Sequence, residues 1–211
     1  MFSEFAEVSS ATWGVIVALL LVGVVVFAVS KDKKRWTARM LANGALCIAL
    51  STVLSFITLY KMPQGGSITL ASMLPMFLFA YAYGVGPGML VGAAYGFVQF
   101  LQGGLYFVHP VELLLDYPLA FAMLGLAGLS NKFSDQWGMI PGIILGTFGR
   151  FVCAFLSGLI FFGMYAPEGQ NVVIYSMVYN GLYLVPQAII CIELAMFPQI
   201  RQLAKRLALQ D

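Results

Sequence analysis

Long runs of uncharged, apolar residues constrain the fold of this chain more than any other feature. A helix of roughly 20 apolar residues crosses a bilayer core about 30 Å thick. Seven runs approach that length: Trp13–Ser30, Met40–Tyr60, Ile68–Tyr83, Gly88–Gln102, Val111–Leu129, Met139–Met164 and Val172–Phe197. Only 9% of the 211 residues are charged, whereas soluble domains contain about 25%. The sequence therefore predicts an all-α integral membrane protein with seven helices.

The distribution of Lys and Arg predicts how these helices are oriented. With the N-terminus outside, nine basic residues fall on the cytoplasmic side and only Lys61 falls in an outer turn. The nine are Lys31, Lys33, Lys34, Arg35, Arg39, Lys132, Arg201, Lys205 and Arg206. Cytoplasmic loops are enriched in Lys and Arg in this way. We therefore expect an external N-terminus, a cytoplasmic C-terminus and a multi-pass protein of the cell membrane.

Several classes of function have no support in the sequence. The net charge of +2 is too small to attract nucleic acid. Cys47, Cys153 and Cys191 lack the paired spacing of a zinc or iron–sulfur site. Neither a Ser–His–Asp set nor a glycine-rich loop ending in Lys-Ser/Thr is present. We expect no enzyme, no metal and no resident cofactor, so any use of ATP must come from a partner.

Ionisable and aromatic residues converge at the outer ends of the predicted helices. Ionisable groups inside a membrane are costly and therefore indicate function. Aromatic faces with a carboxylate bind small organic cations, and an amide matches the edge of a heteroaromatic ring. Tyrosines also form interfacial belts, which is the alternative for any one of them. The candidates are Tyr106, His109, Glu112, Asp116, Tyr117, Tyr175, Tyr179, Asn180 and Tyr183, with His109 more typical of a residue that organises its turn.

Two features remain open at this level. Arg150 lies near the middle of the sixth predicted helix, where a structural pairing, with Glu193 as one candidate partner, is as plausible as a role in coupling.

Small residues recur at four-residue spacing, which lets two helix backbones approach closely. The sets are Ala45 and Ala49; Gly88, Gly92 and Gly96; Gly142 and Gly146. Each set indicates either packing inside the bundle or a contact face for another membrane subunit.

Five stretches together resemble the thiamine-binding S-components of energy-coupling-factor transporters, which are all-α membrane subunits. They are Pro63-Gln64-Gly65-Gly66-Ser67-Ile68-Thr69-Leu70, His109-Pro110-Val111-Glu112-Leu113-Leu114-Leu115-Asp116-Tyr117-Pro118-Leu119-Ala120-Phe121, Gly149-Arg150-Phe151, Tyr165-Ala166-Pro167-Glu168-Gly169, and Tyr175-Ser176 through Tyr179-Asn180-Gly181. The resemblance implies a six-helix substrate-binding domain over residues 39–211, preceded by an additional helix and basic turn within residues 1–38. It also implies that thiamine is captured from outside.

The resemblance also implies roles for particular residues. Asp116 and Tyr117 match the acidic residue and tyrosine of the family's pocket, and Tyr175 and Asn180 match residues that hold the rings of the ligand. Tyr106 matches an aromatic lid position. Ala45 and Ala49 match a motif that docks on a membrane-coupling subunit, which in turn carries two ATPases. Thiamine is then the transported ligand, and ATP is used by the partners.

Two positions depart from the family pattern. Ala154 stands where members carry a ligand-contacting His, and Phe162 corresponds to a tryptophan of some members. A lost polar contact costs about 1–3 kcal/mol when a donor on the ligand is left unpaired. Thiamine is the expected ligand, and a precursor pyrimidine is the alternative. A self-sufficient secondary transporter is a further alternative, although such proteins carry inverted repeats that this sequence does not display.

Overall fold

The structure is a computed structural model that describes residues 36–103, 109–132 and 138–209. In this part of the chain, the helices are joined by one short β-hairpin whose first strand is exposed. In chain order the elements are α1 (Ala38–Phe56), β1 (Thr58–Lys61), β2 (Ser67–Thr69), α2 (Leu74–Tyr83), α3 (Val85–Gln102), α4 (Pro110–Ser130), α5 (Ile140–Phe161), α6 (Val172–Met196) and α7 (Pro198–Leu209).

Four of the described helices are long and apolar enough to cross a membrane: α1, α4, α5 and α6. The predicted class, an all-α membrane protein, is thereby confirmed. Helix α2 has ten residues and rises only about 15 Å, which is too short to cross a bilayer alone. The predicted first helix, Trp13–Ser30, lies outside the described residues. The total number of spans, the orientation and the division near residue 38 stay predictions.

Two predicted helices are too long at the ends that are adjacent in sequence. The predicted helix Met40–Tyr60 is wrong at its C-terminal end, and the predicted helix Ile68–Tyr83 is wrong at its N-terminal end. Helix α1 ends at Phe56, and the next residues form the antiparallel hairpin of β1 and β2, in which Lys61 pairs with Ser67. Its turn contains Pro63, which cannot donate a backbone hydrogen bond, and Gly65, whose φ of 103° disfavours other residues. These residues stop the helical pattern although the surrounding residues are apolar.

Helix α2 forms the centre of the core. All ten of its residues are buried, as expected for a helix that is apolar on every face. It packs against α1, α3, α4 and α7. Phe77, Phe79 and Tyr83 from α2 and Tyr95 from α3 are among the largest fully buried side chains. The short helix therefore holds the longer ones together without reaching lipid.

Helix α4 lies between α3 and α5, and small residues on both neighbours make this possible. A Cβ atom on Gly96 of α3 would come 2.5 Å from the carbonyl oxygen of Tyr117. On the other side, a Cβ atom on Gly146 of α5 would come 3.0 Å from the carbonyl oxygen of Leu124. The glycine sets of α3 and α5 thus serve packing inside the bundle. Ala45 and Ala49 on α1 are instead exposed.

The N-terminal part of α4 is not a regular α-helix. Residues Leu115–Leu119 form a π-helical turn, in which the amide of Ala120 donates to the carbonyl of Leu115. Pro118 lies inside this turn and has no N–H to continue an α-helical ladder. Such π-turns widen the helix and occur frequently at functional sites. Asp116 and Tyr117 are both placed on this widened turn.

Helix α7 was not predicted, because its residues were interpreted only as a basic stretch at the headgroups. Its sequence is amphipathic: Ala204 is buried, whereas Arg201, Lys205 and Arg206 are exposed. Ile200 and Leu207 pack against the main core. The apolar positions thus follow the spacing of one helix face. That spacing was a signal in the sequence that could have predicted the helix.

Candidate functional site

The hairpin and α1, α3, α4, α5 and α6 enclose a cavity of about 660 Å³. This volume is within the range of small-molecule sites. Its wall includes eight of the predicted site residues. They are Glu112, Asp116, Tyr117, Phe162, Tyr175, Tyr179, Asn180 and Tyr183. Tyr106 lies outside the described residues.

Asp116 is held in the cavity wall by a hydroxyl group from the neighbouring helix. The Oγ of Ser157 on α5 donates to Oδ2 of Asp116 at 2.8 Å. A hydrogen bond to a carboxylate fixes its direction and is stronger than one between neutral groups. The aspartate is partly buried, and its other oxygen, Oδ1, has no hydrogen-bond partner among the described residues. That oxygen can therefore face a cation in the cavity.

Glu112 and His109 organise the start of α4. The Oε2 of Glu112 accepts from the backbone amide of His109, and Nδ1 of His109 accepts from the amide of Val111. This reciprocal arrangement is a capping box. Glu112 is buried and lines the cavity, whereas the ring of His109 stacks on Phe161 at 5.2 Å and is absent from the cavity wall. The structure thus brings Glu112, but not His109, to the site.

Arg150 of α5 also lines the cavity. Its guanidinium carbon lies 4.0 Å from the centroid of the Phe121 ring, a cation–π contact. Among the described residues no ion pair joins it to Glu193, which is exposed near the other end of the bundle's last long helix. The arginine therefore adds a positive charge to the wall that contains Glu112 and Asp116.

Helix α6 supplies an aromatic wall stabilised by an asparagine. The Nδ2 of Asn180 donates to the carbonyl oxygens of Ser176 and Ala154 at 2.9 and 3.2 Å, and the Tyr183 hydroxyl donates to its Oδ1 at 3.0 Å. Both amide hydrogens are thus used inside the protein. An amide oxygen accepts two hydrogen bonds, so Oδ1 retains one free position for a ligand.

The tip of the hairpin covers part of the cavity and is attached to α6. The amide of Gln64 donates to the Tyr179 hydroxyl at 3.0 Å. The Nε2 of Gln187 donates to the Ser67 carbonyl at 2.7 Å and to the Thr69 hydroxyl at 3.0 Å. The backbone of Gly66 lies so close to the Tyr183 ring that a Cβ atom would come 2.7 Å from it. These contacts hold the hairpin over the aromatic wall.

Several cavity residues were missed by sequence reasoning. The stretch that forms the hairpin tip contributed to the family resemblance, but it was not assigned to the site because no hairpin was predicted. Polar residues of α1 and α3 were interpreted only as parts of apolar runs. The missed residues include Ser55, Lys61, Gln64, Gln99 and Gln102. Two glutamines within an otherwise apolar predicted helix were the signal that could have assigned the last turn of α3 to the site.

Ala154 lines the cavity with a methyl group only. Its carbonyl oxygen accepts from Asn180, so its backbone supports the aromatic wall although its side chain provides no polar contact. Among the described residues no three His, Cys, Asp or Glu side chains come together in a way that could hold a metal ion.

Comparison with known proteins gives a consistent result. A family model described as "thiamine transporter protein" matches residues 41–207. A protein named thiamine transporter ThiT from Bacillus subtilis is 36% identical over 160 residues, which cover 70% of this chain and 83% of that protein. A protein of the same name from Lacticaseibacillus paracasei is 32% identical over 123 residues and 61% of its length.

A solved structure has a similar fold. The structure of ThiT from Listeria monocytogenes superposes with a TM-score of 0.66 and 26% sequence identity. The match covers 79% of this chain and 93% of that chain. The matched region therefore includes most of the helices that build the cavity.

Proposed function

The chain belongs to the thiamine transporter family, and from this membership we propose that it binds thiamine in the cavity described above. It is a multi-pass protein of the cell membrane and a transporter subunit rather than an enzyme. It works as a substrate-binding S-component. The observation that carries the placement of the ligand is the pair of carboxylates in an aromatic cavity of about 660 Å³.

The carboxylates of the cavity suit a ligand with a positive charge. Glu112 and Asp116 contribute two formal negative charges to the wall, and Arg150 and Lys61 contribute two positive charges. The thiazolium ring of thiamine carries one positive charge, and Oδ1 of Asp116, which has no hydrogen-bond partner among the described residues, can balance it. A neutral precursor pyrimidine would not make this charge-assisted contact, which favours thiamine.

The aromatic residues supply stacking surfaces for the two rings of the ligand. Tyr117, Phe162 and Tyr175 line the cavity from three different elements, and a cationic ring is attracted to aromatic faces. The free acceptor position on Oδ1 of Asn180 suits the amino group of the pyrimidine ring. His109 supports the site through the start of α4, and Tyr106 is assigned the position of an aromatic lid.

Transport requires a partner, because the resemblance assigns ATP use to other subunits. We assign the exposed face of α1 around Ala45 and Ala49 to docking on a membrane-coupling subunit that carries two ATPases. Small exposed residues permit close approach of another helix, and both alanines are exposed beside Leu46 and Leu50. No resident cofactor is assigned to the chain. Hydrolysis of ATP in the assembled complex then releases thiamine inside.

Titration calorimetry of the purified protein tests the binding site. We expect the wild type to bind thiamine tightly and Asp116→Asn to bind it at least about tenfold more weakly, because a charge-assisted contact of more than about 1.4 kcal/mol is lost. Glu193→Gln is the matched control, since it removes an exposed carboxylate from α6. Equal affinities of wild type and Asp116→Asn would contradict the assignment of the site. Stronger binding of the free hydroxymethylpyrimidine than of thiamine would contradict the assignment of the ligand.

A further inference from the structure

Two glutamines on the last turn of α3 form a polar patch that has no role in the site as described so far. Gln99 and Gln102 both line the cavity. The Nε2 of Gln99 donates to Oε1 of Gln102 at 2.9 Å and to Oγ of Ser55 on α1 at 3.1 Å. The same Ser55 oxygen lies 3.0 Å from Oε1 of Gln102. The three side chains therefore fix one another in position.

This network leaves one acceptor and one donor unused. Within the part of the chain that the structure describes, neither Oε1 of Gln99 nor Nε2 of Gln102 takes part in a hydrogen bond. Gln99 is half-buried and Gln102 is exposed, so water can pair with both groups, and a ligand that displaces this water must replace its hydrogen bonds. An amide oxygen and an amide nitrogen on neighbouring side chains match a hydroxyl group, which both donates and accepts.

The patch and the aromatic wall are carried by different helices around Asp116. Helix α4, which carries Asp116, packs against both α3 and α5, and α6 packs on α5. The ligand has a corresponding order of groups: its charged ring is in the middle, its aminopyrimidine at one end and a primary hydroxyl on a two-carbon arm at the other. A ligand whose charge meets Asp116 and whose pyrimidine meets Asn180 therefore extends its arm toward α3.

We propose that Gln99 and Gln102 form a subsite for the primary hydroxyl of the ligand, with Ser55 holding the two amides in place. Oε1 of Gln99 accepts from the hydroxyl, and Nε2 of Gln102 donates to its oxygen. The inference rests on the proposed function, because it assumes that thiamine occupies the cavity. It adds a specificity for the hydroxyl arm that the carboxylate and the aromatic residues do not provide.

The test compares two ligands on the intact protein by titration calorimetry. One is thiamine, and the other is deoxythiamine, in which an ethyl group replaces the hydroxyethyl arm. We expect the wild type to bind thiamine about tenfold more tightly than deoxythiamine. We expect Gln99→Leu and Gln102→Leu to lose this preference, because thiamine binding weakens while deoxythiamine binding stays within about twofold. Gln202→Leu is the matched control, since Gln202 is exposed on α7.

The outcomes separate this inference from the proposed function. A wild type that binds neither ligand contradicts the proposed function. A wild type that binds both ligands equally overturns the inference, and this comparison needs no variant that must fold. Variants that lose affinity for both ligands by the same factor also overturn it, because the glutamines then only support the wall.

Discussion

Ser157 illustrates how a single hydroxyl group controls the charged residue of the cavity. Its Oγ donates to Oδ2 of Asp116 at 2.8 Å, and Ser157 itself is buried on α5. The bond stabilises the ionised carboxylate and directs the free oxygen into the cavity. An isolated carboxylate in a low-dielectric surrounding would otherwise be costly. The partner of Asp116 is thus as important to the site as the aspartate.

We expect Ser157→Ala to weaken thiamine binding about fivefold to tenfold, because a hydrogen bond to a charged group contributes about 1.5–3 kcal/mol and water can replace part of it. Titration calorimetry measures the change. Ser130→Ala is the matched control, since the buried Ser130 hydroxyl donates to the Ala127 carbonyl within α4. Unchanged or stronger binding by Ser157→Ala would show that Asp116 does not need this hydroxyl.

Among the elements, the hairpin is the one that covers part of the cavity. Its tip lines the cavity wall, and side chains of α6 hold it in place. Gln187 makes two of these contacts, since one amide nitrogen reaches both Ser67 and Thr69. Among the described residues its Oε1 is buried without a hydrogen-bond partner, which costs free energy. Release of the hairpin would give that oxygen a partner in water.

We expect Gln187→Met to increase the dissociation rate of thiamine about tenfold while the association rate changes less, because the variant keeps the shape of the side chain and loses two hydrogen bonds. Displacement of radiolabelled thiamine by excess unlabelled thiamine measures the dissociation rate. Val185→Met introduces the same side chain at an exposed position of α6 and serves as the control. A dissociation rate equal to that of the wild type would mean that other contacts hold the hairpin.

The whole molecule keeps the proposed binding cavity apart from the proposed docking face. The cavity lies between the helices and the hairpin, whereas Ala45 and Ala49 lie on the outer face of α1. Helix α1 presents several exposed apolar side chains, among them Leu46, Leu50 and Val53. Such a face suits contact with lipid or with another membrane helix. A change on this face should therefore leave the cavity intact.

We expect Ala45→Leu combined with Ala49→Leu to bind thiamine with unchanged affinity but to abolish ATP-driven thiamine uptake in proteoliposomes that contain the coupling subunit and its ATPases. Larger side chains would prevent the close helix approach that small residues allow. Leu46→Ala, on the same exposed helix, is the control and should retain uptake. Normal uptake by the double variant would place the docking face elsewhere.

The sequence alone determined that this protein lies in a lipid bilayer and which of its membrane-spanning residues carry charge. Apolar runs and the scarcity of charged residues require lipid, because about 25% charged residues are needed for a water-exposed surface. Glu112 and Asp116 could be identified as candidate site residues because a charged side chain within an apolar run is costly and therefore indicates function. The motifs around them were sufficient to identify the family. These properties depend on local composition and spacing.

Only the tertiary structure decided how the cavity is closed and which groups in it are free. The hairpin depends on turn residues within apolar runs, so hydropathy alone extended two helices through it. Gln99 and Gln102 become part of the site only because Ser55 of another helix holds them. Asp116 keeps one oxygen for a ligand because the other accepts from Ser157, 41 residues away, and the Asn180 amide is held partly by the carbonyl of Ala154, 26 residues away. Such contacts depend on packing between helices, which a one-dimensional pattern does not contain.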